Sequence, residues 1–138
     1  MLHHLSFAVA NLQLSGAFYD AALGALGYRR VFEDDTAIGY GVEDGKDKFC
    51  LKLRSPVIAP GPGFHLAFAA PSRDAVDRFH SGALAVGGRD NGPPGLRQDY
   101  GPNYYAAFLV DPDGHRIEAV INAVPGPQSS SERVSVNA

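Results

Sequence analysis

The hexapeptide HLSFAV at residues 4–9 returns as HLAFAA at residues 65–70, an offset of 61 (65 − 4). The echo continues without a gap, since Phe18 recurs as Phe79, Ala22 as Ala83, Leu23 as Leu84 and Gly27 as Gly88. Similarity that spans a strand-like piece and the amphipathic segment after it predicts two copies of one supersecondary unit. A histidine opens both copies, so the duplication puts His4 and His65 at equivalent places from which they can meet at a shared cleft.

In the first copy, residues 2–10 alternate, with Leu5, Phe7 and Val9 on one side and His4, Ser6 and Ala8 on the other. That is the period of a strand with one face in a core. Asn11 can cap a helix over 13–26 whose apolar stripe is Leu14, Ala17, Phe18, Ala21 and Ala22, and Gly27 stops it. Strands are predicted over 28–34, 36–42 and 48–54, and the stretch SPVIAPGPG at 55–63 connects the copies. The second copy begins with a strand over 64–70 and a helix over 73–86, capped by Ser72, with Val76, Phe79, Ala83 and Leu84 facing inward. Residues 88–102, broken by Asn91-Gly92-Pro93-Pro94-Gly95 and Gly101-Pro102, are expected to form a long loop, at most briefly extended, bordering a binding site. Strands over 103–110 and 115–122 flank the turn Asp111-Pro112-Asp113-Gly114. The sequence thus predicts an α+β domain over 1–122, built as module one (1–54), a linker (55–63) and module two (64–122), each βαβββ. The Pro- and Ser-rich tail at 123–138 is expected to lack order unless it docks on a partner.

A chain of 138 residues, 45% hydrophobic, can bury a real core as one compact domain. A net charge of −3 without a basic block does not suit a nucleic-acid partner, and no apolar run has membrane-spanning length. The N-terminus has no signal-peptide pattern, and Cys50 is the chain's single cysteine. With no internal disulfide open to it, a cytoplasmic setting is expected.

Alternation along the strands also sorts the reactive residues. In 115–122, Ile117, Ala119 and Ile121 take the core side and leave Arg116, Glu118 and Val120 on the other. In 64–70, Phe64, Leu66 and Phe68 face the core and His65 points away, as His4 does in the first strand. In 48–54, Phe49, Leu51 and Leu53 go inward, leaving Cys50, Lys52 and Arg54 on the open face. Two imidazoles and a carboxylate on one concave side can fill three positions around a divalent metal. Whichever of Tyr104 and Tyr105 faces the cup can hydrogen-bond a substrate. Tyr40 and Arg54 are further candidates for the lining, Arg54 being suited to an anion. Arg97 and Tyr100 lie in the long loop; His3, His80 and His115 are not expected as ligands, nor Cys50 as a nucleophile.

With these paired modules, the HLSFAV and HLAFAA openings and the DPDGHRIEAV ending, the chain resembles the vicinal oxygen chelate superfamily over about residues 1–122. That group includes glyoxalase I, bleomycin resistance proteins, extradiol dioxygenases and fosfomycin-inactivating thiol transferases. The resemblance implies a cupped mixed sheet with helices outside and a homodimer whose modules pair within a chain or by exchange between subunits. It also implies a divalent ion (Fe, Mn, Zn or Ni) held by His4, His65 and Glu118, with Glu118 as the catalytic group. A small-molecule substrate would meet Lys52, Arg54, Tyr104 and Tyr105. Module symmetry matches Leu51-Lys52-Leu53 to Ile117-Glu118-Ala119, which would put Lys52 where four-ligand members have their fourth ligand. A protonated ammonium has no lone pair to give, so a three-ligand site follows; without a metal, Lys52 could instead pair with Glu118. The implied activity is a metal-dependent lyase or isomerase, thiol transferase or dioxygenase acting on a small oxygen-chelating substrate. The alternative is a non-catalytic drug binder of bleomycin resistance type.

Overall fold

The computed structural model describes residues 1–126. The expected disorder of the tail falls mostly on 127–138, which lie outside the described residues. Module one contains β1 (Leu5–Val9), α1 (Leu12–Gly24), β2 (Arg29–Glu33), β3 (Ala37–Gly41) and β4 (Phe49–Leu53). Module two contains β5 (Leu66–Ala69), α2 (Arg73–Leu84), β6 (Arg89–Leu96), a short 3-10 turn (Gln98–Tyr100), β7 (Tyr104–Val110) and β8 (Arg116–Asn122). The sheets have orders β1-β4-β3-β2 and β5-β8-β7-β6, with β1–β4 and β5–β8 parallel and the other neighbours antiparallel. The α+β fold of two βαβββ units is the one expected from the repeat.

Both helices start where a side chain can satisfy a free N–H. Asn11 accepts from the Leu14 amide at 3.0 Å, and Ser72 accepts from the Ala75 amide at 3.0 Å. The offset of 61 carries α1 onto α2 at their first residues (Leu12 to Arg73), but α1 has 13 residues and α2 has 12. The gapless alignment therefore ends at the helix C-termini. Gly27 (φ 97°) corresponds to Gly87 (φ 95°), the positive-φ position after each helix, rather than to Gly88. Leu23 is buried whereas Leu84 is 38% exposed, as expected if the two copies part company there.

One stretch differs in kind from its expectation. Residues 88–102 hold an eight-residue strand, β6, where a loop was expected. The strand tolerates Pro93 and Pro94 because it lies at the sheet edge and its pairing with β7 shifts register between Asp90 and Gly92 and again between Gly92 and Gly95.

The two modules share one core through their helix-bearing faces. Phe7, Val9, Phe49 and Leu51 of the first sheet belong to the same buried cluster as Ala107, Leu109, Ile117 and Ala119 of the second. Phe18 and Phe79, the duplicated pair, are both fully buried, and α1 packs against α2. Burying each such ring is worth about 1.5–3 kcal/mol. Across the module boundary, Phe49 meets Phe68 edge-on at 5.3 Å and Phe7 stacks on His115 at 4.3 Å.

The turn after β7 supplies a polar lock at the same boundary. Asp111 is buried; its carboxylate accepts the Tyr19 hydroxyl of α1 at 2.7 Å and the amides of Asp113 and His115 at 2.9 Å each. Asp113 in turn accepts the Ala10 amide at 3.1 Å and the Ser15 hydroxyl at 3.2 Å. His115 Nε2 lies 2.8 Å from the Ala8 carbonyl, so this nitrogen carries the proton and donates it. Because the helix-bearing faces are joined in this way, the opposite face of each sheet points away from the shared core.

Candidate functional site

On the outward face of the second sheet, three polar side chains form a connected group. His65 precedes β5, Glu118 is central in β8, and Tyr104 opens β7. His65 Nε2 lies 2.8 Å from Glu118 Oε1, and the Tyr104 hydroxyl donates to Glu118 Oε2 at 2.5 Å. Glu118 is only 1% exposed, although it lies on the face away from the core. A buried carboxylate is tolerable because both of its oxygens have partners. Desolvation, reinforced by the hydrogen bond to Glu118, pushes the Tyr104 phenol up to about 12, so it remains a neutral donor.

Strand parity separates the two tyrosines. Tyr104 falls on the outward side with Ala106 and Phe108, whereas Tyr105 falls on the helix side, where its hydroxyl donates to Asp77 of α2 at 2.6 Å. Expected as a substrate contact, Tyr105 serves the packing of α2. Tyr40 is likewise on the helix side, donating to Asp20 at 2.8 Å and to the Gly16 carbonyl at 3.1 Å, and does not line the cup.

The remaining candidates lie elsewhere in the chain. His4 contacts His3, with Nδ1 atoms 2.8 Å apart, and the two border a separate apolar cleft of about 170 Å³ with Tyr28, Lys48, Leu66 and Phe68. Among the described residues no three His, Cys, Asp or Glu side chains gather as a metal cluster. Within one chain, then, His65 and Glu118 are together and His4 is not with them. Lys52 is exposed on the outward face of β4, and no hydrogen bond or ion pair joins it to Glu118. Arg54 is exposed and donates to the Leu53 carbonyl at 2.7 Å.

Register corrects the symmetry argument made for Lys52. Ser6 of β1 pairs with Cys50, and Ala67, its counterpart at the 61-residue offset, pairs with Glu118. Cys50, not Lys52, therefore occupies the position equivalent to Glu118. The two candidates differ by two residues, so both lie on the same face and alternation alone could not separate them. Nor is Cys50 open, being 6% exposed. Beside it, the paired Gly39 leaves room for Asp47, since a Cβ on Gly39 would come within 2.7 Å of the Asp47 Cβ. Burial, followed by the charge of Asp47, holds the Cys50 thiol above its ordinary value, which disfavours a thiolate nucleophile.

Next to the His65–Glu118 pair lies a cleft of about 250 Å³ lined by Phe64, His65, Asn91, Tyr100, Phe108 and Arg116, among others. Asn91, Tyr100 and Phe108 come from β6, the 3-10 turn and β7, so the stretch expected to border a site does so as a strand and a turn. Sequence reasoning placed Arg116 on the open face but gave it no role. Its parity with Glu118 was the available signal.

Removing the Tyr104 hydroxyl with Tyr104→Phe should cost about 1–3 kcal/mol near neutral pH, because it strands a buried carboxylate oxygen. The sign with pH follows from the raised phenol. Tyr104 contributes stability fully at pH below its ordinary value of 10.0, and that contribution is lost as pH rises through about 12. The stability gap between wild type and the variant should thus close over that interval, as read by denaturant unfolding at each pH.

A paired βαβββ fold with a histidine and a glutamate meeting on the outward face of one sheet defines the class. The sequence model of the Glyoxalase/Bleomycin resistance protein/Dioxygenase superfamily matches residues 1–119, and the chain belongs to that superfamily. It is 30% identical over 133 residues to the uncharacterized protein YqjT of Bacillus subtilis (strain 168), covering 86% of this chain and 97% of that protein. A glyoxalase/bleomycin resistance protein from Albidiferax ferrireducens T118 is similar in structure, with TM-score 0.72, 33% identity, and coverage of 85% of this chain and 94% of its own. The fosfomycin resistance protein FosX from Mesorhizobium loti shares the fold at TM-score 0.63 and 18% identity, covering 97% of each chain. The superfamily includes enzymes, glyoxalase I and FosX among them.

Proposed function

We propose that the protein is a metal-dependent enzyme of this superfamily acting on a small substrate that offers two neighbouring oxygens, and that it works as a homodimer. The observation that carries the reading is the His65–Glu118 contact, an imidazole nitrogen and a carboxylate oxygen 2.8 Å apart on an outward sheet face. Such a pair suits two positions of a divalent site, with the proton now between them giving way to the ion. The third donor, His4, would come from a partner subunit. Two features support this: the helix-bearing faces are already joined within the chain, and among the described residues β1 and β5 each stand at a sheet edge with one side unpaired. A two-fold dimer can set β1 of one subunit beside β5 of the other, closing two equivalent cups.

A divalent ion held by His4, His65 and Glu118 would supply stabilisation for negative charge on the substrate oxygens. Tyr104 orients Glu118 by holding Oε2. Glu118 is the candidate to accept a substrate proton, since it is the carboxylate at the cup. Equivalence to Glu118 brings the partner's Cys50, rather than Lys52, to the fourth position around the same cup. Lys52, further along β4, and Arg54 are left as rim contacts for substrate. The single cysteine fits a reducing compartment such as the cytoplasm.

Subunit complementation tests this arrangement. His4→Ala and Glu118→Gln should each abolish stoichiometric metal binding when made alone. Co-expressed in equal amounts, the two variants should recover about a quarter of the wild-type sites, because half the dimers are mixed and each mixed dimer has one intact cup of two. No recovery would exclude shared cups. A wild-type protein that binds no divalent metal but sequesters a drug would establish the non-catalytic reading instead.

A further inference from the structure

Resting on the reading of the His65–Glu118 face as the substrate site, we infer that Arg116 is its anion-binding residue and that the ligand is a small organic acid with a flat apolar body. Arg116 is half-buried and projects on the same side of β8 as Glu118, into the cleft that holds His65. Arg29, Arg30 and Arg78 are each neutralised by a carboxylate, from Asp44, Asp20 and Asp74. The Arg116 side chain has no hydrogen bond or ion pair among the described residues. A guanidinium at the wall of a cleft with no acceptor of its own is positioned to receive one, and its planar fork matches a carboxylate.

The walls describe the rest of the ligand. Phe64 is 41% exposed and Tyr100 66% exposed, and Phe108 is half-buried, so ring surface is left open around the guanidinium. Flat apolar groups pack well against such rings. Arg97, whose guanidinium lies 5.4 Å from the Phe108 ring centroid, adds positive potential. Both Glu118 oxygens are already engaged by His65 and Tyr104, and neither forms an ion pair with Arg116. A cleft of about 250 Å³ is also smaller than the roughly 300–1,000 Å³ typical of drug-sized ligands. Size and charge together select a small acid over a bulky cation. Arg54, the arginine expected to meet an anion, is not among the residues lining this cleft.

The test uses the full chain treated with chelator, titrated calorimetrically with phenylacetate, its neutral isostere phenylacetamide, and benzylammonium. Phenylacetate should bind about tenfold or more tighter than the amide, and benzylammonium more weakly than either. Arg116→Gln should lower phenylacetate to the level of the amide while leaving the amide's affinity and the melting temperature unchanged. Arg116→Lys should retain part of the preference. Equal affinity for acid and amide, a preference that survives Arg116→Gln, or no phenylacetate binding at millimolar concentration would each overturn the assignment. Metal binding is measured on separate, untreated samples. Loss of the metal reading with a retained acid preference leaves Arg116 standing, and normal metal binding without the preference overturns Arg116 alone.

Discussion

Replacing Asp111 by alanine should destabilise the protein by about 3 kcal/mol or more, since each buried donor stranded costs about 1–3 kcal/mol. The donors are the Tyr19 hydroxyl and the amides of Asp113 and His115, all now satisfied by this carboxylate at 2.7–2.9 Å. The loss would be a large part of the roughly 5–15 kcal/mol that holds a domain of this kind folded. Melting temperature should fall by about 10 °C or more. Two milder variants isolate the cause. Asp111→Asn keeps a carbonyl oxygen for the backbone amides and should cost less than half as much. Tyr19→Phe removes a single donor and should cost about 1 kcal/mol. If Asp111→Ala melts within a degree or two of wild type, the lock between the modules is not what holds this boundary.

Glu118→Gln should weaken divalent-metal binding by about 100-fold or more, because even partners of metal ligands typically matter by about 10–100-fold and this is the sole carboxylate of the proposed set. Fold should survive. The glutamine amide has the same shape, can accept from His65 through its oxygen, and can offer an N–H to the Tyr104 oxygen. Metal added to wild type should raise the melting temperature, whereas the same addition to the variant should leave it nearly unchanged. Calorimetric titration with manganese, zinc, nickel and ferrous iron gives the affinities directly. Equal affinity in wild type and variant for every ion would remove Glu118 from any metal role.

Much of the site was legible because a strand has a period of two. Parity placed Glu118 and Arg116 on one face of β8 and His65 on the matching face beside β5, and the structure joins His65 to Glu118. Parity was silent where both faces are apolar. In Tyr104–Val110 the run YYAAFLV gives no contrast to tell Tyr104 from Tyr105, and the decision came from Asp77 on α2 reaching one of them. Pairing between copies failed for a related reason. Cys50 and Lys52 share a face, so only the hydrogen-bonded register of β1 with β4 could choose between them. Pro93 and Pro94 concealed β6 because a propensity argument does not know which strand will end up at an edge.

The sequence by itself determined the duplicated strand-and-helix units, their caps, and the apolar face of the strands that alternate, β1, β4 and β8 among them, because these depend on neighbours along the chain and on the 61-residue repeat. How the modules meet was decided by tertiary structure alone. Phe49 against Phe68, Phe7 against His115 and Tyr19 against Asp111 join residues far apart in sequence, and they place the helix-bearing faces together. That choice sends His65, Glu118 and Tyr104 outward and leaves His4 apart from them within one chain. No local pattern encodes it, since the free energy of joining two half-buried faces depends on shape and on buried hydrogen bonds that exist only once the chain has folded back on itself.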